Sequence, residues 1–347
     1  MSKFSVFVGN VQIGGGAPVR IQSMAKCPTE KISQLLREIR TLEKAGCEIV
    51  RIAIPSSGAL ESIPLLKTKI SIPIVADIHF DYRLAIGAIK KGADKIRINP
   101  GNIGSKWKVE EVISVAKDFG VPIRIGVNAG SLPKKILNKY RQPTTQALIF
   151  SLEEHLEIFE KKNFYNLVLS AKTANFQETI EVYENLAQKY PYPLHIGVTE
   201  SGLPLQGTIR SISALAVLLN KGIGDTIRIS LTGPAVLEVT VAKELLQNLG
   251  LRKFGPQLIS CPVCGRCKVN LVKIARQIQR KLQAVKDPIK IAVMGCVVNG
   301  PGEARFADYG IACGKNAGVI FRRGRVIKKC SEKELVPELL TIIKKDL

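Results

Sequence analysis

At 347 residues the chain is long for one average domain and suits two, and 46% hydrophobic with 23% charged residues describes a well-cored globular protein. No apolar stretch approaches the ~18 residues of a membrane helix, and the Met1-Ser-Lys-Phe-Ser start lacks a signal peptide's apolar core. The expectation is a cytoplasmic protein without a membrane partner. The formal net charge of +22 would suit a nucleic-acid binder, but aromatic residues make up only 5% and the basic residues are spread along the chain. That pattern favours a Lys-rich solvated surface, an anionic small substrate or an acidic protein partner, and no nucleic acid.

In chain order, short β-branched runs alternate with longer helical patterns. The runs begin near Val19, Ile49, Ile72, Lys95, Pro122, Asn166, Pro193 and Asp225. Each is apolar nearly throughout, as expected of a parallel strand buried on both faces. Amphipathic stretches such as Glu30–Lys44, Tyr82–Lys91, Gln177–Gln188 and Thr208–Lys221 lie between them. Each interval has room for one crossover helix. Eight strand–helix units in a row predict a (β/α)8 TIM barrel, with a doubly wound open sheet as the alternative. The stretch Gly130–Thr145, with Lys134, Lys135, Lys139 and Arg141, reads equally as a basic lid or as a plain surface loop.

Gly250, Gly255 and Pro256 break the last barrel helix, which places the domain boundary at 253/254. Residues 1–253 form the expected barrel. Residues 254–347 form a smaller α/β domain with a helix Asn270–Lys286, a buried strand Lys290–Val298 and a turn at Gly300-Pro301-Gly302. A hairpin through Gly318–Lys328 and a final helix from Glu332 complete it.

Barrel enzymes place their chemistry at the C-terminal strand ends. Here those ends carry Arg51, then Asp77 and His79, then Arg97 and Asn99, then Arg124 and Asn128, then Lys172, then Glu200, then Arg228 and Ser230. Buried cations need partners, and Asp77 with Glu200 cannot neutralise four arginines and Lys172. A bound polyanion accounts for the surplus, since guanidinium groups match phosphate oxygens. Asn99, Asn128 and Ser230 add neutral donors. Glu200 is the first candidate for acid/base work and His79 the second.

Six of the eight cysteines lie beyond residue 260. Cys261-Pro-Val-Cys264 has metal-ligand spacing, Cys296 ends the expected strand, and Glu303 follows the Gly/Pro turn. Thiolates suit an iron–sulfur cluster or zinc. With no His after His195, a fourth thiol for zinc would have to be Cys267 or Cys313. By spacing alone, Glu303 is equally a carboxylate at a helix start.

Several segments together resemble the 4-hydroxy-3-methylbut-2-enyl diphosphate synthase family. They are VGNVQIGGGAPVRIQSM (Val8–Met24), IVADIHFDYRLA (Ile74–Ala85), RINPGNIG (Arg97–Gly104), RIGVNAGSL (Arg124–Leu132), GVTESG (Gly197–Gly202) and GIGDTIRISL (Gly222–Leu231). ISCPVCGR (Ile259–Arg266) and GCVVNGPGEA (Gly295–Ala304) close the set. The resemblance implies a TIM barrel followed by an iron–sulfur domain like those of sulfite and nitrite reductases. It implies one [4Fe-4S] cluster on Cys261, Cys264, Cys296 and Glu303. It implies reductive opening of a cyclic diphosphate with electrons from reduced ferredoxin or flavodoxin, in a homodimer. Arg51, Arg97, Asn99, Arg124, Asn128, Lys172, Arg228 and Ser230 would hold the substrate, Glu200 would handle a proton, and Glu303 would yield to substrate. Cys267 departs from the family pattern and could compete as a ligand. A zinc-stabilised nucleic-acid binder and a barrel aldolase using Lys172 as a Schiff base are the rival readings.

Overall fold

The computed structural model describes residues 2–142, 144–282, 285–296 and 306–347. The chain divides into two units, Met1–Arg252 and Lys253–Leu347.

The first unit opens with an antiparallel hairpin, β1 (Ser5–Val8) and β2 (Val11–Gly14), that the sequence reading did not anticipate. Gly9 turns it at φ +56°, a conformation that is unstrained for glycine. The hairpin buries Val6, Val8 and Ile13 against Ile49, Val75 and Val168. Those three residues sit at the N-terminal ends of their strands, so the hairpin closes the end of the barrel opposite the expected site.

Eight parallel strands follow: β3 (Arg20–Met24), β4 (Ile49–Ala53), β5 (Ile74–Asp77), β6 (Lys95–Ile98), β7 (Ile123–Asn128), β8 (Leu167–Lys172), β9 (His195–Ile196) and β10 (Thr226–Ile227). Their order is β8-β7-β6-β5-β4-β3-β10-β9. A parallel bridge from Leu194 to Leu169, with the Leu169 N–H donating to the Pro193 carbonyl at 2.9 Å, returns the last strand to β8. The sequential order and this closure make a TIM barrel and leave no strand-order reversal for a doubly wound sheet.

The connecting helices start where local chemistry permits. Asp81 accepts the Arg83 N–H at 2.9 Å and Asn175 the Glu178 N–H at 3.1 Å, each capping a helix that follows a strand. The segment after β7 is not a plain loop: it forms a 3-10 turn, Ala129–Ser131, and a helix, Lys134–Tyr140.

In the second unit, β11 (Gln257–Ser260), β12 (Lys290–Met294) and β13 (Tyr309–Cys313) are parallel. The antiparallel strands β14 (Ala317–Arg322) and β15 (Arg325–Ser331) extend the sheet. The helices Leu271–Lys281 and Glu332–Asp346 bury Ile274, Ile278, Leu335 and Leu339 with Ile291, Val293 and Ile311 of the sheet. The first helix stops at Lys281, short of the expected Lys286, and β12 stops at Met294 rather than Val298. Of the expected turn and strand end, residues 297–305, with Glu303 among them, lie outside the described residues.

Candidate active site and metal centre

At the C-terminal end of the barrel, strand register stacks charge on charge. Asp77, Arg97 and Arg124 are register partners on successive strands, and partners in a parallel ladder share a face. Lys95 lies two residues before Arg97, one layer deeper on the same inward face, and is fully buried. A cavity of about 170 Å³ opens among these side chains. It brings together Arg51, His79, Arg97, Arg124, Asn128, Lys172, Arg228 and Ser230, with Met24, Asp77, Ser170 and Thr199. A larger cavity of about 310 Å³ near Ser2, Tyr190 and Asp225 lies at the opposite, N-terminal strand ends and lacks such a cationic lining.

Two expected residues stand apart from the cavity. Asn99 is buried and accepts the Gly101 N–H at 3.2 Å while donating to Ser131 Oγ at 3.0 Å. It thereby ties the end of β6 to the turn after β7. Glu200 is exposed at the rim, next to the lining residue Thr199, and holds φ +53°. That conformation is strained for a side chain such as glutamate.

Asp77 is the hub of the site. It meets Arg97 at 3.3 Å, His79 Nε2 at 3.2 Å and Arg51 at 3.8 Å. Burial alone would raise its carboxyl, but Arg51, the His79 hydrogen bond and Arg97 outweigh it and hold the group well below the usual carboxylate range. The second interior carboxylate is not Glu200, as the sequence suggested, but Glu238. It is buried in the last barrel helix and paired with Lys26 at 2.9 Å and Arg228 at 3.9 Å.

Six cations, Arg51, Lys95, Arg97, Arg124, Lys172 and Arg228, therefore share this interior with two carboxylates, Asp77 and Glu238. Burial first, and then repulsion between neighbouring cations, lowers the hold of Lys172, Lys95 and Arg228 on a proton. Burial, then Arg228 and Arg124, push the Lys172 amine well below its ordinary value. Burial, Arg124 and Arg51 do the same to Lys95. Burial and Arg51 bring Arg228 down to about 10. Lys95 Nζ, Arg124 Nε and one of its terminal nitrogens have no hydrogen-bond partner among the described residues. A multiply charged anion would supply the missing acceptors.

Lys95, Glu238, Lys26 and Met24 escaped the sequence reading. Lys95 was detectable: at two residues from Arg97 on one strand it must face the same way.

The cysteines of the second unit meet for a topological reason. β11 and β12 are parallel neighbours, with Ser260 opposite Val293. Cys261 and Cys296 follow their C-terminal ends and so stand close in space. With Cys264 they line one cavity of about 150 Å³, together with Val263, Arg266 and Gly295. The Gly295 N–H donates to Cys261 Sγ at 3.3 Å. Val263, between the paired cysteines, holds φ +64°, a genuine outlier for a β-branched residue. Cys267 does not line the cavity: its thiol donates to the Val269 carbonyl at 3.3 Å and packs on the hydrophobic core.

Among the described residues, no three His, Cys, Asp or Glu side chains converge as a single ion would require. Three thiols around a cavity suit a cluster, where each thiolate takes a different iron, better than zinc, whose donors must meet at ~2.3 Å.

A cation-lined TIM barrel followed by a cysteine-bearing α/β domain defines a two-part enzyme for an anionic small molecule. The chain belongs to the GcpE family. The GcpE TIM-barrel domain matches residues 3–243 and the GcpE protein C-terminal domain matches residues 257–345. A relative from Thermodesulfovibrio yellowstonii is 52% identical over 98% of this chain and 97% of its own length. Another, from Clostridium perfringens, is 52% identical over 97% of each chain. Both are named 4-hydroxy-3-methylbut-2-en-1-yl diphosphate synthase (flavodoxin).

Proposed function

We propose that this protein reductively opens 2-C-methyl-D-erythritol 2,4-cyclodiphosphate, with loss of water, to 4-hydroxy-3-methylbut-2-enyl diphosphate in isoprenoid precursor biosynthesis. The observation that carries this reading is the barrel mouth, where Arg51, Arg97, Arg124, Lys172 and Arg228 line one cavity with Asp77 as its lining carboxylate. The excess is what a diphosphate neutralises.

Residues 1–253 bind substrate and residues 254–347 hold a [4Fe-4S] cluster on Cys261, Cys264, Cys296 and Glu303. That group supplies electrons one at a time from reduced flavodoxin or ferredoxin. Arg51, Arg97, Arg124, Lys172 and Arg228 grip the diphosphate, while Asn128 and Ser230 orient it. Asn99 acts from behind, by holding the turn at Ser131 in place. Glu200 at the rim exchanges a proton with the departing hydroxyl, and His79, held by Asp77, keeps the adjacent wall polar. Glu303, the one oxygen donor beside three thiolates, would be the ligand most readily given up to substrate. The enzyme works in the cytoplasm as a homodimer; among the described residues no helix is long and apolar enough to cross a membrane.

Anaerobic reconstitution with iron and sulfide, followed by an assay with the cyclic diphosphate and a chemical reductant, tests this. Brown protein with turnover is expected, and Glu303→Ala should abolish turnover while the diphosphate still binds. Colourless, zinc-containing protein without turnover would overturn the reading. Near-normal activity in Glu303→Ala would return Lys172 to an aldolase role.

A further inference from the structure

The chain's surplus charge is unevenly compensated. On the barrel unit many exposed lysines pair with acids, as in Lys91–Glu61 at 2.8 Å and Lys162–Glu110 at 3.2 Å, while others such as Lys69, Lys90 and Lys117 form no ion pair among the described residues. From Lys253 to Lys286 the chain has eight Lys or Arg and no Asp or Glu. None of the eight forms an ion pair among the described residues; the pairs in that unit are Arg322–Asp346 and Lys328–Glu338.

This acid-free stretch supplies Cys261, Pro262, Val263, Cys264 and Arg266 to the lining of the cysteine cavity. The helix Leu271–Lys281 buries Leu271, Ile274 and Ile278 and turns Lys273, Arg276 and Arg280 outward on one stripe. Arg276 and Arg280 are four residues apart, and Lys273 and Arg276 three, so like charges are stacked at a cost to the helix. Val272 is exposed on the same helix, and Val263 and Cys264 are exposed in the cysteine loop, where Arg266 lines the cavity. Exposed apolar side chains in a stretch whose cations form no ion pair among the described residues fit an acidic protein face better than they fit water. The exposure of Cys264 means that a redox group held there would lie at the surface this partner covers.

We propose that the outer face of helix Leu271–Lys281, with the exposed loop at Cys264, is the docking surface for an acidic one-electron donor protein. This rests on the reductive reading above and names where its partner sits. Long-range attraction by the stripe raises the encounter rate and should weaken with salt.

The test uses the reconstituted full-length enzyme, a purified flavodoxin and a reduced viologen dye. K273E/R276E/R280E should raise the KM for flavodoxin tenfold or more and flatten its salt dependence, with turnover on the dye within twofold of wild type. The charge-preserving K273R/R276K/R280K should behave as wild type. K69E/K90E/K117E, which reverses the same number of exposed charges on the barrel unit, should change the flavodoxin KM less than twofold.

An unchanged flavodoxin KM in the helix variant overturns the proposal, as does equal loss with flavodoxin and dye. A variant that keeps its flavodoxin KM but loses binding to duplex DNA or phosphatidylglycerol vesicles assigns the face to those anions instead. If wild type turns over with neither reductant, the reductive reading fails. Flavodoxin titration then still judges the surface, and equal affinity of wild type and helix variant rejects it.

Discussion

Single side chains in the barrel mouth leave little slack. A Cβ on Gly126 would stand 2.7 Å from Arg97 Nε, so the guanidinium fits only because β7 has no side chain there. On the proposed reading Arg97 grips the diphosphate, so Gly126→Ala, by displacing its guanidinium, should weaken that grip. A lost charge-assisted hydrogen bond of ~1.5–3 kcal/mol corresponds to a KM for the cyclic diphosphate raised about 10- to 100-fold, readable in steady-state kinetics. Lys95 gives a different signature. Its amine has no hydrogen-bond partner among the described residues, and burial lowers it well below the ordinary 10.5. Between that lowered value and the unfolded one, the unfolded chain binds a proton that the native one does not. Stability therefore rises with pH in that window, by up to ~1.4 kcal/mol per unit. Lys95→Met should stabilise the ligand-free protein by ~1–3 kcal/mol at neutral pH, and the gain should shrink as pH climbs toward 10.5. Urea unfolding at several pH values reads both. The cations Arg51, Arg97, Arg124 and Arg228 were legible in sequence because Asp77 and Glu200 could pair only part of the arginines found inside apolar runs. Glu238 was not, because a carboxylate in the first turn of a helix reads as solvent-facing until the fold turns that helix's inner face toward Arg228.

Whole elements were legible where their periodicity ran long. The expected helices Tyr82–Lys91 and Gln177–Gln188 are observed at Tyr82–Lys90 and Phe176–Lys189, because their apolar spacing is amphipathic and Asp81 or Asn175 caps each start. The last two barrel strands form only two-residue ladders, His195–Ile196 and Thr226–Ile227. The residues beyond them leave the ladder to line the cavity. The β1–β2 hairpin was missed although its signal was present, since Ser5–Val8 alternates exposed and buried up to a Gly-Asn turn. Ile13→Ala should cost ~2–5 kcal/mol of unfolding free energy and leave the substrate KM unchanged, because Ile13 packs at the strand ends remote from the cavity. Thermal unfolding beside kinetics separates the two effects. The direction of Cys267 could not be read from spacing. It follows from the turn after Cys264, where the Cys267 N–H donates to the Cys264 carbonyl at 2.9 Å.

Across the molecule, an interior with more cations than anions is destabilised until an anion arrives. Inorganic diphosphate should raise the melting temperature, by an amount equivalent to ~2.7 kcal/mol at a hundred times its dissociation constant. Combining Arg97→Met with Arg124→Met should remove most of that shift, measured by calorimetry. The hairpin across the far end of the barrel has a further consequence for traffic. A vessel stoppered at its base has a single door, and both cargoes that use it carry a diphosphate handle for the same cationic grip. Product must leave by the way substrate enters. Because both would occupy the same cationic grip of the free enzyme, the linear diphosphate should compete with the cyclic one in initial-rate experiments, raising its apparent KM and leaving the maximal rate untouched, and an uncompetitive pattern would mean that product binds a later form of the enzyme instead.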